Sequence, residues 1–283
     1  DRSEVPFYQH WWLLSAGILC GLAMSIKISG VYYAAFAGIF MVAFYSIKTK
    51  SIRKSLNSIG MGLIFFLIVP IAMFFLNHIK WFTNENSTYR HAIESSLDTS
   101  DFPSFLSFLP SSLQNFSYYQ LGVLKFHSGL KSDPSSYHPW ESNSWQWAIA
   151  ERPMLFYSSN TGTNNAENIW LLGNLPIWWM FIPVILFSII RLCMKDMKWI
   201  IVLGGFITGY LPWLIMHERQ SYFFYVTPLA MFLILGIVFA IFDISTHISR
   251  KNNKDVSNIF IAISGSIVIV SLVFLIIYIP WYY

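Results

Sequence analysis

Apolar residues in this chain gather in long unbroken runs, not in the alternating or every-third-residue patterns of elements that face water on one side. Seven runs stand out, at about 11–26, 31–47, 59–78, 176–191, 198–216, 222–242 and 259–279. Most approach the length of about 20 residues at which a helix crosses hydrocarbon, so each predicts a spanning helix. The first two are short and meet at Ser25-Ile26-Lys27-Ile28-Ser29-Gly30. Two readings stay open there: two crossings, or one bent hairpin dipping into the membrane.

The polar residues between the runs set an orientation. Lys48, Lys50, Arg53 and Lys54 separate the second and third runs. Arg191, Lys195 and Lys198 separate the fourth and fifth, and Arg250, Lys251 and Lys254 the sixth and seventh. If the spans alternate, all these connections share one side, which the positive-inside tendency makes cytoplasmic. The chain then enters from the cytoplasm and ends outside, where Trp281-Tyr282-Tyr283 suit an interfacial anchor.

Composition agrees. Hydrophobic residues make up 55% of the 283 and charged residues only 11%, against about 25% charged in a soluble domain. Such a chain cannot cover a water-facing surface. The net charge of +4 sits in the connections, which indicates topology and no nucleic-acid partner. Cys20 and Cys193 fall in or beside apolar runs and read as small buried hydrophobes, with no disulfide framework. The sequence opens at Asp1 without Met or a cleavable leader pattern, so the expectation is a piece of a longer protein.

One long segment, 79–175, lies on the outer side of this topology and divides the chain into 1–78, with three spans, the loop, and 176–283, with four. Its Pro, Ser, Asn and Tyr content predicts short helices and ordered loop in preference to a sheet. Its aromatics, among them Phe116, Tyr119, Trp140, Trp145, Trp147 and Tyr157, are too dense for a disordered linker. The loop is therefore expected to fold, against the membrane surface.

Candidate chemistry is sparse. No Gly-rich phosphate loop, Cys-x-x-Cys, His-Glu-x-x-His or Gly-x-Ser-x-Gly is present, and the histidines lack metal-ligand spacing. What remains is Phe126-His127, then His138-Pro139-Trp140-Glu141-Ser142-Asn143-Ser144-Trp145-Gln146-Trp147, then Glu151-Arg152-Pro153. Flat aromatics stack on sugar rings while His, Glu or Arg bond hydroxyls or a phosphate; the same aromatics also suit a belt at headgroup level. The turn His217-Glu218-Arg219-Gln220 is either a solvated connection or an anion site in which Arg219 grips a lipid phosphate. Lys27 either snorkels to the interface or faces an interior site.

Four blocks in order carry a resemblance. His138-Pro139-Trp140-x-Ser142-x-x-Trp145-x-Trp147 with Arg152-Pro153 resembles the HPY-x-S-x-x-W-x-W…RP block in an outer loop of bacterial protein O-mannosyltransferases. Leu171-Leu172-Gly173-Asn174-Leu175-Pro176-Ile177-Trp178-Trp179 is similar to the family's LLGNP-x-x-WW approach to the next helix. Tyr210-Leu211-Pro212-Trp213 and Arg219-x-x-Tyr222-Phe223-x-Tyr225-x-x-Pro228 resemble its YLPW…R-x-x-F-x-YHY-x-x-P segment. Gly21-Leu22-Ala23-x-Ser25-x-Lys27-x-x-Gly30 resembles its GLA-x-S-x-K-x-x-G motif. Trp140 stands where the family has Tyr, and Val226 begins Val-Thr-Pro where the family has its YHY pattern.

The resemblance implies an all-α polytopic membrane protein of GT-C glycosyltransferase type, matching the last spans of the family's longer chain. The loop has no room for the β-trefoil of eukaryotic members, so the likeness is to the bacterial form. As the resemblance implies, the whole enzyme sits in the cell membrane and moves mannose from a polyprenyl-phosphate-mannose donor to Ser or Thr of an exported protein, with inversion. The partners are then that lipid-linked sugar, the acceptor protein and membrane lipid. No metal or further cofactor is assigned. The family's catalytic Asp-Glu pair, in its first outer loop, has no equivalent here; it is expected in a missing N-terminal transmembrane part, without which this stretch is inactive. Arg219 and Lys27 would hold the phosphate, and His127, His138, Trp140, Trp145 and Arg152 would shape the sugar and acceptor site. The alternatives are another lipid-phosphate-sugar transferase of the same fold or, from a different class, a transporter. The transporter would show inverted repeats, and no internal symmetry is visible.

Overall fold

A computed structural model describes residues 7–95, 102–133, 135, 137–160 and 166–278. The expected anchor Trp281-Tyr282-Tyr283 lies outside these residues. The chain forms two compact units, Asp1–Leu130 and Lys131–Tyr283, and the stretch 79–175 is shared between them.

The first unit opens with α1 (Phe7–Ile26), α2 (Gly30–Thr49), α3 (Ile52–Leu63) and α4 (Val69–Asn77). α1 and α2 are separate helices, each 20 residues long, joined by a turn at Lys27. α3 runs into α4 through a π-helical turn, Ile64–Ile68. Pro70 explains the turn. It has no N–H for the carbonyl one turn back and its ring crowds that carbonyl, and a widened turn relieves both. α1 packs against α4 and this turn. Its Gly17 and Gly21, spaced as Gly-x-x-x-Gly, permit the approach: a Cβ on Gly17 would lie 2.1 Å from the Phe65 carbonyl oxygen, and one on Gly21 2.5 Å from Met73 Cβ.

After α5 (Ile79–Thr83) and a 3-10 turn at Ser104–Leu106, α6 (Ser111–Gly129) completes the unit. Phe116 on α6 is 3% exposed and sits among Phe82 (ring centroids 4.9 Å apart), Trp81 (5.1 Å) and Phe75 (5.3 Å). Asn115, also buried, takes the Ile93 N–H on Oδ1 (2.8 Å) and gives Nδ2–H to Glu94 (2.9 Å). This part of the stretch is folded, as its aromatics predict.

The second unit contains α7 (Ser144–Trp147), β1 (Met154–Asn160), β2 (Ala166–Leu171), α8 (Leu175–Trp178), α9 (Phe181–Cys193), α10 (Trp199–Ile215), α11 (Leu229–Asn252) and α12 (Val256–Tyr278). The antiparallel pairing of β1 with β2 runs from Met154↔Leu171 to Asn160↔Ala166, with an irregularity between Leu155 and Tyr157. It corrects the expectation of helices and loop without a sheet. Leu155, Phe156, Tyr157, Ile169 and Trp170 favour a pleated surface, and this local preference outweighs the Ser and Pro content around it.

The hydrophobic core of this unit joins Trp147, Trp178, Phe181, Trp199, Phe206, Leu229 and Leu233. At the other end of the helices an ionic clamp ties α9, α10 and α11. Asp243, 8% exposed at its side chain, pairs with Arg191 Nε (3.0 Å) and Lys198 Nζ (2.5 Å). Trp199 Nε1–H donates to its second oxygen (3.1 Å). Arg191 also reaches Asp196 at 2.6 Å. Burial pushes the Asp196 carboxyl up, but the Arg191 hydrogen bond and the charge of Lys198 outweigh it and hold the group below its ordinary value.

Among the described residues, five helical stretches are long and apolar enough to cross a membrane: Gly30–Thr49, Ile52–Asn77, Leu175–Cys193, Leu229–Asn252 and Val256–Ile277. His10–Ile26 and Trp199–Ile215 are shorter apolar helices. The sixth run begins later than its hydrophobicity suggests, at Leu229. Tyr222 is extended and Phe223–Val226 is a 3-10 turn ahead of Pro228. Cys20 and Cys193 are free, and Cys193, at the end of α9, is exposed where a buried hydrophobe was expected.

Candidate functional site

The His138–Trp147 block and the His217–Tyr222 turn, distant in sequence, are joined backbone to backbone. Ser142 N–H donates to Ser221 O (2.9 Å), and Ser221 Oγ–H returns a bond to Ser142 O (2.8 Å). Ser132 N–H donates to Glu218 O (2.9 Å) beside a bridge between Lys131 and Arg219. Both serines are buried.

Within the block, the short helix α7 starts with a reciprocal cap in which Asn143 N–H donates to Gln146 Oε1 (2.7 Å). The cap turns Trp147 inward, fully buried, with its Nε1–H on Ser142 Oγ (2.8 Å). Three further donors from α8, its flank and α10 fasten the block from below. Trp178 Nε1–H donates to Trp147 O (2.5 Å), Trp179 Nε1–H to Ile149 O (3.3 Å) and Tyr210 OH to Ser144 O (2.9 Å). These polar ends are satisfied while Trp178 fills the core, Tyr210 packs against it and Trp179 stays exposed.

Arg219 is half-buried above two rings, its guanidinium carbon 5.1 Å from the Trp213 centroid and 5.8 Å from that of Tyr225. Trp213 and Tyr225 are themselves stacked at 4.5 Å. A planar cation held on aromatic faces is oriented as well as attracted, which a lysine could not reproduce. Burial pushes the Tyr225 hydroxyl up, partly countered by the Arg219 charge.

The remaining expected site residues divide. His138 is exposed and meets Tyr222 edge-on at 5.4 Å, in the same neighbourhood as the turn. Trp140 packs edge-on against Trp170 of β2 at 4.9 Å. Trp145 is exposed on α7. Arg152 donates to Tyr137 OH (3.1 Å) and Glu141 O (3.0 Å), so it braces the block. Lys27 and His127 belong to the first unit; both are exposed, Lys27 in the α1–α2 turn and His127 near the end of α6. The structure thus brings His138 to the turn that carries Arg219. Glu141, Gln220 and Tyr222 join them there without having been singled out. Tyr222 was a motif position, and the only signal for Glu141 and Gln220 in the sequence was their place in the polar block and turn.

The first unit also has an apolar cleft of about 640 Å³ lined by residues such as Val31, Ala34, Gly38, Phe66 and Pro70. It presents almost no polar atoms and offers no chemistry of its own. Among the described residues, no three His, Cys, Asp or Glu side chains come together as a metal site.

Residues 112–283 match the family described as the C-terminal four TMM region of protein-O-mannosyltransferase. The four apolar helices from Leu175 onward agree in number with that description. The chain is 33% identical over 243 residues to a polyprenol-phosphate-mannose–protein mannosyltransferase of Corynebacterium glutamicum, covering 81% of this chain and 46% of the relative. It is 30% identical over 261 residues to the protein of that name in Mycobacterium tuberculosis, covering 86% and 49%. The Mycolicibacterium smegmatis protein of that name is 30% identical over 251 residues, covering 83% and 47%. This chain therefore spans about half the length of the curated relatives it matches. No solved structure matches. The match over most of the chain, with the helices to go with it, makes this a multi-pass membrane protein that belongs to the protein O-mannosyltransferase family.

Proposed function

We propose that this chain is the C-terminal part of a membrane glycosyltransferase that moves mannose from polyprenyl-phosphate-mannose to Ser or Thr hydroxyls of exported proteins. The observation that carries the reading is the joining of the His138 block to the Arg219 turn, because it puts a stacked guanidinium beside aromatic and hydroxyl-binding side chains. The names of the relatives support the donor and the protein acceptor.

In this reading the acceptor hydroxyl attacks the anomeric carbon as the lipid phosphate leaves, and a base takes the hydroxyl proton. Arg219 stabilises the departing phosphate, where two parallel N–H donors match its oxygens. Lys27 is the second candidate for that charge, and His127, His138, Trp140, Trp145 and Arg152 shape the sugar and acceptor side. No residue of this chain is assigned as the base. The proposed topology has seven crossings, the loop 79–175 between three spans and four, and the loop and C-terminus outside the cell membrane. The basic α2–α3, α9–α10 and α11–α12 connections support it.

The test is mannosyl transfer by the whole purified protein from polyprenyl-phosphate-mannose to a Ser/Thr peptide. Transfer is expected; no transfer from this donor alongside transfer from another lipid-phosphate sugar, or to a lipid, would move the assignment to the sister class of enzymes. Single cysteines in the loop and in the 217–220 turn should both label from outside intact cells. Labelling of one alone would break the seven-crossing topology.

A further inference from the structure

Glu141 is a charged side chain of the block that the proposed reaction leaves unused, and it is only 3% exposed. Its backbone is pinned on every side. The N–H donates to His138 O (2.9 Å), and the carbonyl accepts from Tyr137 OH (3.1 Å) and Arg152 Nη1 (3.0 Å). Its carboxylate, by contrast, receives one long hydrogen bond among the described residues, from Gln220 Nε2 at 3.4 Å. An ionised carboxylate offers about four acceptor positions, and burial with most of them unfilled is costly unless a ligand fills them.

The groups around it define what that ligand would be. The Tyr222 hydroxyl is pushed up by burial first and then by the Glu141 charge, so the two lie within electrostatic reach. His138 is edge-on to Tyr222. Its Nδ1 accepts from Trp140 N–H (3.2 Å), which leaves the ring proton on Nε2 as a donor. Gln220 brings an amide next to Arg219 in the turn. A carboxylate, a phenol, an imidazole N–H and an amide together suit a hydroxyl, which gives one hydrogen bond and takes others. They do not suit a phosphate, which the carboxylate would repel.

We propose that Glu141 is a substrate-binding carboxylate: with Tyr222, His138 and Gln220 it accepts a hydrogen bond from a hydroxyl of the mannosyl group or of the acceptor side chain and positions it beside Arg219. This rests on the mannosyltransferase reading above and adds to it a division of labour, in which Arg219 takes the phosphate and Glu141 a hydroxyl.

The experiment measures kcat and both KM values in the whole protein for wild type, Glu141→Gln, Glu141→Asp and Tyr222→Phe. Glu141→Gln keeps the shape and replaces a double acceptor with an amide. It is expected to raise one KM about tenfold, equivalent to about 1.4 kcal/mol, with melting temperature unchanged, and Glu141→Asp should recover part of the loss. A shift in the donor KM that disappears with a mannosyl donor lacking the bonded hydroxyl identifies the sugar. A shift confined to the peptide KM identifies the acceptor. Unchanged KM values for Glu141→Gln, or a fall in kcat that tracks lost thermal stability, overturn the proposal. If Glu141→Gln does not accumulate, Tyr222→Phe decides: it must shift the same kind of KM, and no shift overturns the proposal equally. Wild-type protein that transfers no mannose sinks the function itself, whereas active wild type with an indifferent Glu141→Gln sinks this inference alone.

Discussion

Arg219 offers the clearest perturbation. Its guanidinium lies on Trp213 and Tyr225, an arrangement that fixes the plane from which its N–H groups project. Arg219→Lys keeps the charge and loses both the plane and the paired donors. A hydrogen bond to a charged group is worth about 1.5–3 kcal/mol. At about 1.4 kcal/mol per factor of ten, losing one that strengthens as the phosphate leaves should slow transfer about ten- to a hundredfold. Arg219→Ala loses every such bond and the charge, and is expected to abolish most activity. The structural cost is separable. Each cation–π contact contributes about 0.5–1 kcal/mol at a partly exposed site, which corresponds to a melting shift of a few degrees at most. The assay is mannosyl transfer from the lipid donor by wild type and both variants at matched abundance, with a melting curve for each. Wild-type kcat in Arg219→Ala would refute the phosphate assignment. A rate loss that merely tracks the fall in stability would refute the argument from the stacked plane.

Other expectations concern stability. Asp243→Ala leaves Arg191 and Lys198 without their shared carboxylate, and breaking a buried pair costs about 3–5 kcal/mol, so the variant should melt lower than Asp243→Asn, with wild-type melting counting against the clamp. Because the Asp196 carboxyl is held below its ordinary value of 3.8, its stabilisation is present above about that pH and lost as pH falls through the lowered value; Asp196→Asn should flatten this acid limb of a melting-temperature profile, and an unchanged limb would refute it. Gly17→Leu puts a side chain where even a Cβ meets the Phe65 carbonyl, so the α1–α4 contact should open. Crosslinking between cysteines placed on those two helices should fall sharply, and undiminished crosslinking would show that the contact tolerates the bulk.

The helices were legible because a membrane demands length and apolarity over about 20 residues, and few other structures supply both. What could not be read from the runs were contacts across long separations. Arg219 and His138 are 81 positions apart (219 − 138), and only the motif resemblance put them in one site. Trp147 was one of the block's aromatics that could read as a sugar platform or a headgroup belt, yet its indole is a core side chain with its N–H on Ser142. Glu141 looked like one polar residue in a polar stretch; its burial follows from the pairing of Ser142 with Ser221, which no local pattern announces. The late start of α11 has the same origin. Tyr222 extends the hydropathy run, but the carbonyl of Ser221 just before it is committed to Ser142 of the loop block.

The donors of Trp178, Trp179 and Tyr210 to carbonyls at 147, 149 and 144 have a mechanical meaning. A segment that swings open must release its anchors, and stranding the buried Trp178 donor alone costs about 1–3 kcal/mol. Three such anchors rivet the block to the membrane helices. The block that carries His138 and joins the Arg219 turn is consequently a fixed anvil, and in the proposed reaction the acceptor is brought to it.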